Sequence, residues 1–243
     1  MKTDKRWIVG VERFPRPLQR FEIDPRRTAL LIVDMQNYLR GPEVGLGKII
    51  GEDLPEVAAY YYPRVREMVV PNNVRLLELF RSHGLPVVFT SVGPELPDGS
   101  DLPRWRRIDP HDGTVEGEPR TRFPYYSKAA WERQIIDELK PSPTELVLYK
   151  NTSGAFNSTA IDHFLRNMGI EGLVVTGIAT NFCVETTARD AADRGYKVVL
   201  VDDACATFDQ ASHDATMRSF VRIYGLVRDT DEILADFGRE LGG

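Results

Sequence analysis

The sequence predicts a three-layer α/β/α, Rossmann-like domain built on a six-stranded, mostly parallel sheet. Three observations predict it. Short, continuously apolar runs recur along the chain, and helical patterns alternate with them. Several of the runs end abruptly on a polar residue. Strands apolar on both faces belong to sheets covered on both sides.

Taken in order, residues 1–25 are rich in Pro, Arg and aromatics and read as an irregular arm, lying over the body or over a neighbouring subunit. The rest, 26–243, reads as one domain. Residues 28–35, "TALLIVDM", form the first strand and carry an acid near its end. Residues 63–83 have helical periodicity, with Gly84 as the stop. Residues 86–91 are the second strand. Residues 92–127 form a long loop rich in Gly, Pro and charge, a length typical of lids or subunit contacts. A short helix is expected over 129–139, and the third strand over 145–150. A helix over 157–168 ends at Gly169. The fourth strand, 172–178, leads into a helix over 183–194 closed by Gly195. The fifth strand, 197–204, a helix over 212–224, a sixth strand at 225–230 and a last helix at 231–241 complete the chain.

Composition narrows the function. The chain has 243 residues, 42% hydrophobic and 28% charged, with a net charge of −5, which disfavours nucleic-acid and anionic-membrane partners. Arginine clusters at 26–27, 104–107 and 120–122 read as solvated faces. Two cysteines, Cys183 and Cys205, build no disulfide framework and have no metal-finger spacing, which suits a cytoplasmic setting. No apolar stretch resembles a signal peptide or a membrane span.

In open parallel sheets, ligands bind beyond the carboxyl ends of the strands, near the point where strand order reverses. Asp34, Thr90, Ser91, Lys150, the 178–183 turn, Asp202 and Asp203 stand at those ends. Cys183 opens a helix, where unsatisfied N–H groups and a nearby lysine would lower a thiol's pKa. The same N–H groups could receive an oxyanion. Asp34 could accept the thiol proton and return it to a leaving amine. Lys150 would keep Asp34 ionised and stabilise the thiolate. The four histidines, His83, His111, His163 and His213, lie off the strand ends. Each residue also has an ordinary structural reading. A lone Cys is commonly a small core residue, a strand-end acid a cap, and a strand-end lysine a solvated charge. Cys205 reads as packing, and Asp202 and Asp203 as capping and charge-pairing groups rather than a metal pair.

The residues carry a resemblance. "ALLIVDMQNYL", "YKNTSGAFNSTAID" and "VVTGIATNFCVETTARDAADRGYKVVLVDDACAT" resemble three motifs of the isochorismatase-like cysteine hydrolases, a family that includes N-carbamoylsarcosine amidase and the ureidoacrylate and biuret hydrolases. The resemblance spans about residues 23–237. It implies that Asp34, Lys150 and Cys183 are the catalytic residues. It also implies a non-proline cis peptide at Ile178–Ala179, with the Ala179 and Cys183 N–H groups as oxyanion hole. Metal-dependent nicotinamidases of the family carry histidines after the second strand. "SVGPELPDGSDLPRWR" has none, so no metal and no other cofactor is expected. The cysteine favours amide or ureide chemistry over vinyl-ether cleavage.

The expected substrate is a small ureido or carbamoyl compound. A small carboxamide such as maleamate, and an idle binding or scaffolding role, remain alternatives. Faster labelling of Cys183 than of Cys205 by a thiol probe would separate an active site from an idle one. Asn37, Tyr38, Phe156, Asn157, Thr180 and Gln210 are candidate substrate-binding residues, with Asn181 and Phe208 beside them. Trp105 and Arg107 could close over an anionic substrate. The family's habit implies a homo-oligomer, a dimer or tetramer.

Overall fold

The computed structural model describes residues 4–106 and 128–242. Six strands form one parallel sheet: β1 (Thr28–Val33), β2 (Val87–Val92), β3 (Leu146–Lys150), β4 (Gly172–Ile178), β5 (Lys197–Ala206) and β6 (Leu226–Arg228). Their order is β3-β2-β1-β4-β5-β6, the doubly wound arrangement whose direction reverses between β1 and β4. β1, β2 and β4 are buried along their whole length, as their unbroken apolar runs require.

Side-chain alternation divides the core into two layers. Leu30 and Ile32 of β1 pack with Leu76, Leu77 and Phe80 of α3 (Val70–Ser82) and with Ile233 and Phe237 of α7 (Thr230–Leu241). Ala29, Leu31 and Val33 face the opposite layer, covered by α4 (Ile161–Asn167), α5 (Glu185–Asp193) and α6 (Gln210–Ile223). Asp209 caps α6, and Asp229 with Glu232 forms a capping box on α7.

Several boundaries differ from those expected. The helix anticipated over 63–83 begins earlier, as α2 (Pro55–Arg64), and runs on into α3 through a π-helical stretch, Val65–Val69. Pro63 and Pro71 flank that stretch, and each removes a backbone donor from the helical ladder. A helix α1 (Gly45–Asp53) precedes it in a region where periodicity gave no signal. The helix expected over 129–139 does not form. Two single turns, Trp131–Arg133 and Asp137–Leu139, flank an antiparallel bridge between Ile135 and Gln36. Tertiary pairing with the end of β1 overrides local helical propensity there. The helix expected over 157–168 is shorter, because a tight turn at Ala155–Asn157 comes first. Residues 4–24 hold one helical turn, Arg6–Ile8, and pack in part on the body of their own chain. Trp7 and Val11 join the α4–α6 layer, and Arg218 donates to the Trp7 carbonyl at 3.2 Å.

Between β4 and β5 the register shifts, so that residues 201–204 stand opposite Thr176 alone. The carbonyls released by this bulge need donors. The long helix supplies them: Arg64 donates to the Asp202 and Cys205 carbonyls, Asn72 to that of Asp203, and Asn73 to that of Ala204. Gly177 sits at the shift with φ of +111°, and a Cβ there would lie 2.1 Å from the Val33 carbonyl oxygen. Gly177→Ala is expected to cost about 3 kcal/mol and lower Tm by roughly 6–12 °C in a thermal melt. A melt within about 2 °C of wild type would contradict this account of the contact.

Candidate active site

The first functional side chain owes its direction to the backbone. Strict alternation along β1 would send Asp34 to the face of Ile32. Instead Asp34 adopts φ of +52°, a left-handed conformation that Asp tolerates better than most residues. The Asp34 N–H still bonds the Thr90 carbonyl at 3.1 Å, and the Gln36 N–H closes on the Asp34 carbonyl at 2.8 Å. The turn brings the carboxylate to the groups of the α4–α6 face: Thr90 of β2, Lys150 of β3 and the sulfur of Cys183.

Thr90 Oγ1 donates to Asp34 Oδ1 at 2.7 Å. Lys150 Nζ lies 2.7 Å from Asp34 Oδ2, and both side chains are almost fully buried. The ammonium also donates to the carbonyls of Thr152 (3.0 Å) and Ser153 (2.8 Å). Lys150 thus spans the sheet end from edge strand β3, past β2, to the turn after β1. A buried ion pair needs supplementary hydrogen bonds to offset desolvation, and this one has three.

Cys183 lies across the switch point, after β4. The Ile178–Ala179 peptide is cis. The chain then winds through a π turn, Thr180–Val184, before the regular helix α5 begins at Glu185. The N–H groups of Phe182 and Val184, flanking the cysteine, both bond the Ala179 carbonyl, at 3.0 and 3.2 Å. Cys183 is 5% exposed. Its acidity differs from the expectation of a lowered pKa. Burial pushes the thiol up, Lys150 and Arg106 pull it down, and the nearby Asp34 carboxylate raises it further. Desolvation outweighs the nearby cations, so the resting sulfur keeps its proton and faces a carboxylate. Cys205 is fully buried in the same layer, and burial pushes its thiol well up.

Arg106 is the residue that the charge pattern concealed. The 104–107 cluster reads as a solvated face, yet Arg106 Nη2 lies 3.5 Å from Cys183 Sγ and 3.3 Å from Ser153 Oγ. Its guanidinium also stacks on the exposed Trp105 ring, 4.6 Å from the centroid. Arg107 and His111 lie outside the described residues, as does the rest of the long loop beyond Arg106 up to residue 127.

The other candidates fall in distinct places. Asn37 is buried, donates to the Trp131 carbonyl at 2.9 Å, and lines a cavity of about 360 Å³ with Ser91, Arg133 and Tyr149. That cavity opens beside the Asp34 turn without reaching the sulfur. Tyr38 packs against the α3-side core. Phe156 belongs to the opposite core layer, its ring 6.0 Å from that of Tyr196. Asn157 is exposed. Gln210 accepts from the Tyr60 hydroxyl at 3.1 Å and donates to Asp214 at 2.8 Å. Asn181 accepts from Thr207, and the Phe208 ring lies between those of Tyr61 and Phe182. Thr180 is fully buried and meets His213 Nδ1 at 2.9 Å, beneath the turn. Asp203 accepts from both the N–H and the hydroxyl of Thr230, at the start of α7, and Asp202 meets His213 Nε2 at 2.7 Å.

A doubly wound parallel sheet with a buried acid–lysine pair on one side of its switch point and a thiol on the other defines the class: an α/β fold of the cysteine-hydrolase kind. Residues 28–232 match the isochorismatase domain, and the chain belongs to the isochorismatase-like cysteine hydrolase family. The ureidoacrylate amidohydrolase RutB of Acinetobacter baylyi is 30% identical over 221 residues, 89% of this chain and 86% of that protein. The protein of the same name from Variovorax paradoxus is 31% identical over 225 residues, 92% of this chain and 85% of that one. Among solved structures, a cysteine hydrolase from Pseudomonas syringae pv. phaseolicola matches with a TM-score of 0.73 at 25% identity, covering 93% of this chain and 99% of its own. The N-carbamoylsarcosine amidase from Thermoplasma acidophilum matches with a TM-score of 0.60 at 28% identity, covering 84% and 97%.

Proposed function

We propose that this hydrolase opens a C–N bond of a small ureido acid, using Cys183 as nucleophile and Asp34 as its base. One observation carries the reading: the Asp34 carboxylate is held between Thr90 and Lys150, close enough to Cys183 that its charge helps push the thiol's pKa up. A thiol with a raised pKa is a poor nucleophile until a base removes its proton, and the carboxylate is already in place. The amidohydrolase relatives support C–N hydrolysis of ureido compounds.

In this scheme Asp34 takes the thiol proton as sulfur attacks the carbamoyl carbon. The Ala179 and Cys183 N–H groups receive the oxyanion. Asp34 then gives the proton to the departing nitrogen, releasing ammonia or an amine. Water, deprotonated by Asp34, cleaves the thiocarbamate or thioester and frees Cys183. Lys150 remains charged throughout and stabilises first the carboxylate and then the thiolate.

Arg106 directs the choice among ureides. A guanidinium beside the sulfur suits a substrate whose carboxylate lies near the scissile carbonyl. Ammonia release should therefore be at least about tenfold faster, in kcat/KM, for ureidoacrylate or N-carbamoyl amino acids than for neutral biuret. No turnover of any ureide or carboxamide in such a screen would reject the reading.

A further inference from the structure

Beneath the nucleophile turn lies a buried charged cluster that the proposed chemistry does not use. It joins four elements. Arg64 ends α2 just before the π-helical stretch, Asp202 sits in the β5 bulge, His213 lies in the first turn of α6, and Thr180 opens the nucleophile turn. Thr180, Asp202 and His213 are fully buried and Arg64 is 6% exposed. Ordered charge at this depth is costly unless each group has partners.

The distances order the cluster. His213 Nε2 is 2.7 Å from Asp202 Oδ1, the shorter of its two contacts, so this nitrogen carries the hydrogen and donates to the carboxylate. Arg64 Nη2 approaches the same nitrogen at 3.1 Å, while donating to the Asp202 carbonyl at 3.2 Å. Nδ1 is then an acceptor, and Thr180 Oγ1 donates to it at 2.9 Å. Burial pushes the imidazole's pKa down; Asp202 opposes that and Arg64 adds to it. Asp214, on the same helix, is the other charge that acts on the ring. A neutral imidazole in one tautomer can accept from Thr180 only while Asp202 fixes the other nitrogen.

Thr180 directly follows Ala179, and Ala179 provides the carbonyl on which the cysteine's neighbours close. The Thr180 hydroxyl is engaged inside this cluster, at His213 Nδ1. We propose that His213, oriented by Asp202 and hydrogen-bonded to Thr180, is a positioning residue that sets the turn carrying Ala179 and Cys183. The proposal rests on the hydrolytic reading of the site for its kinetic readout, but not for its chemical one. Loosening the turn should misplace the oxyanion donors, lowering kcat, while opening the buried thiol to small probes.

Thr180→Val keeps the shape and removes the hydroxyl; Thr180→Ser keeps the hydroxyl. Two quantities are measured on each folded variant: kcat and KM for ureide hydrolysis, and the rate of Cys183 alkylation by iodoacetamide, which needs no substrate. For Thr180→Val, kcat should fall about 10–100-fold with KM changed less than about threefold, since small misplacements near reacting atoms have effects of this size. Alkylation should speed up several-fold. Thr180→Ser should restore both. If Thr180→Val does not fold, His213→Gln provides the second route. Its amide nitrogen can still reach Asp202 from the Nε2 position, but its carbonyl oxygen does not occupy the Nδ1 position that Thr180 meets, so it should show the same opposed pair of changes. Faster alkylation without ureide turnover in any form would sink the ureide reading and leave the positioning role standing. A folded Thr180→Val or His213→Gln protein with wild-type kcat and wild-type alkylation rate would overturn the proposal.

Discussion

Cys183→Ala is expected to fold and to lose hydrolysis at least about 10⁴-fold, beyond what an ammonia assay detects. The side chain is small and sits in a turn closed by backbone bonds to Ala179, so deleting one sulfur should cost only about 1 kcal/mol of stability. The other thiol offers no replacement. Cys205 is sealed in the core, with its thiol pushed well up by burial. A folded alanine variant that keeps more than a few per cent of wild-type turnover would remove the cysteine from the mechanism. So would covalent trapping, by a slow ureide, on any residue other than Cys183.

The second large effect concerns the Asp34–Lys150 pair. Lys150→Met alone should leave the Asp34 carboxylate buried with one hydrogen bond, from Thr90, and no cation. Breaking a buried pair on one side costs about 3–5 kcal/mol, because a charge is stranded away from water. For a chain of this size, that amounts to roughly 6–20 °C in Tm. Adding Asp34→Asn removes the stranded charge, so the double variant should recover most of the lost stability. It should not recover activity, since an amide cannot take the thiol proton. Chemical denaturation and ammonia release, measured on both variants, separate the two roles. A double variant as unstable as the single one would mean that the pair is held by something other than its charges. Turnover near wild type in the double variant would remove Asp34 from the proton path.

How much of this was legible from the chain can be argued residue by residue. Asp34, Lys150 and the 178–183 turn were readable because each ends an apolar run, and apolar runs in an α/β pattern are parallel strands with their carboxyl ends on one edge. Gln36 left no such trace. It sits in the same segment, yet its amide joins the end of β1 to β2, accepting from the Val92 N–H at 2.8 Å and donating to the Val92 carbonyl at 3.1 Å. Its partners, Val92 and the Arg133 carbonyl, lie 56 and 97 residues away, and periodicity reports only neighbours along the chain. Arg106 looked like one charge among several, and its use is visible only from the sulfur it touches. His213 ends no strand, so the pattern of apolar runs gives it no signal. The first turn of α6 nevertheless runs beneath the nucleophile turn, so the imidazole is within reach of Thr180.

The amino-acid pattern by itself determined the doubly wound sheet, the edge on which polar groups gather, and the identity of the acid, amine and thiol at that edge. These follow from local rules: alternation along strands, the period of helices, and the residues that end them. Tertiary structure alone decided which way Asp34 points, because a left-handed backbone at one residue cancels the alternation that would have sent it to the other face. It also decided the state of the thiol. A helix start and a lysine both favour the thiolate, but depth of burial is set by the whole fold, and desolvation in that setting outweighs both.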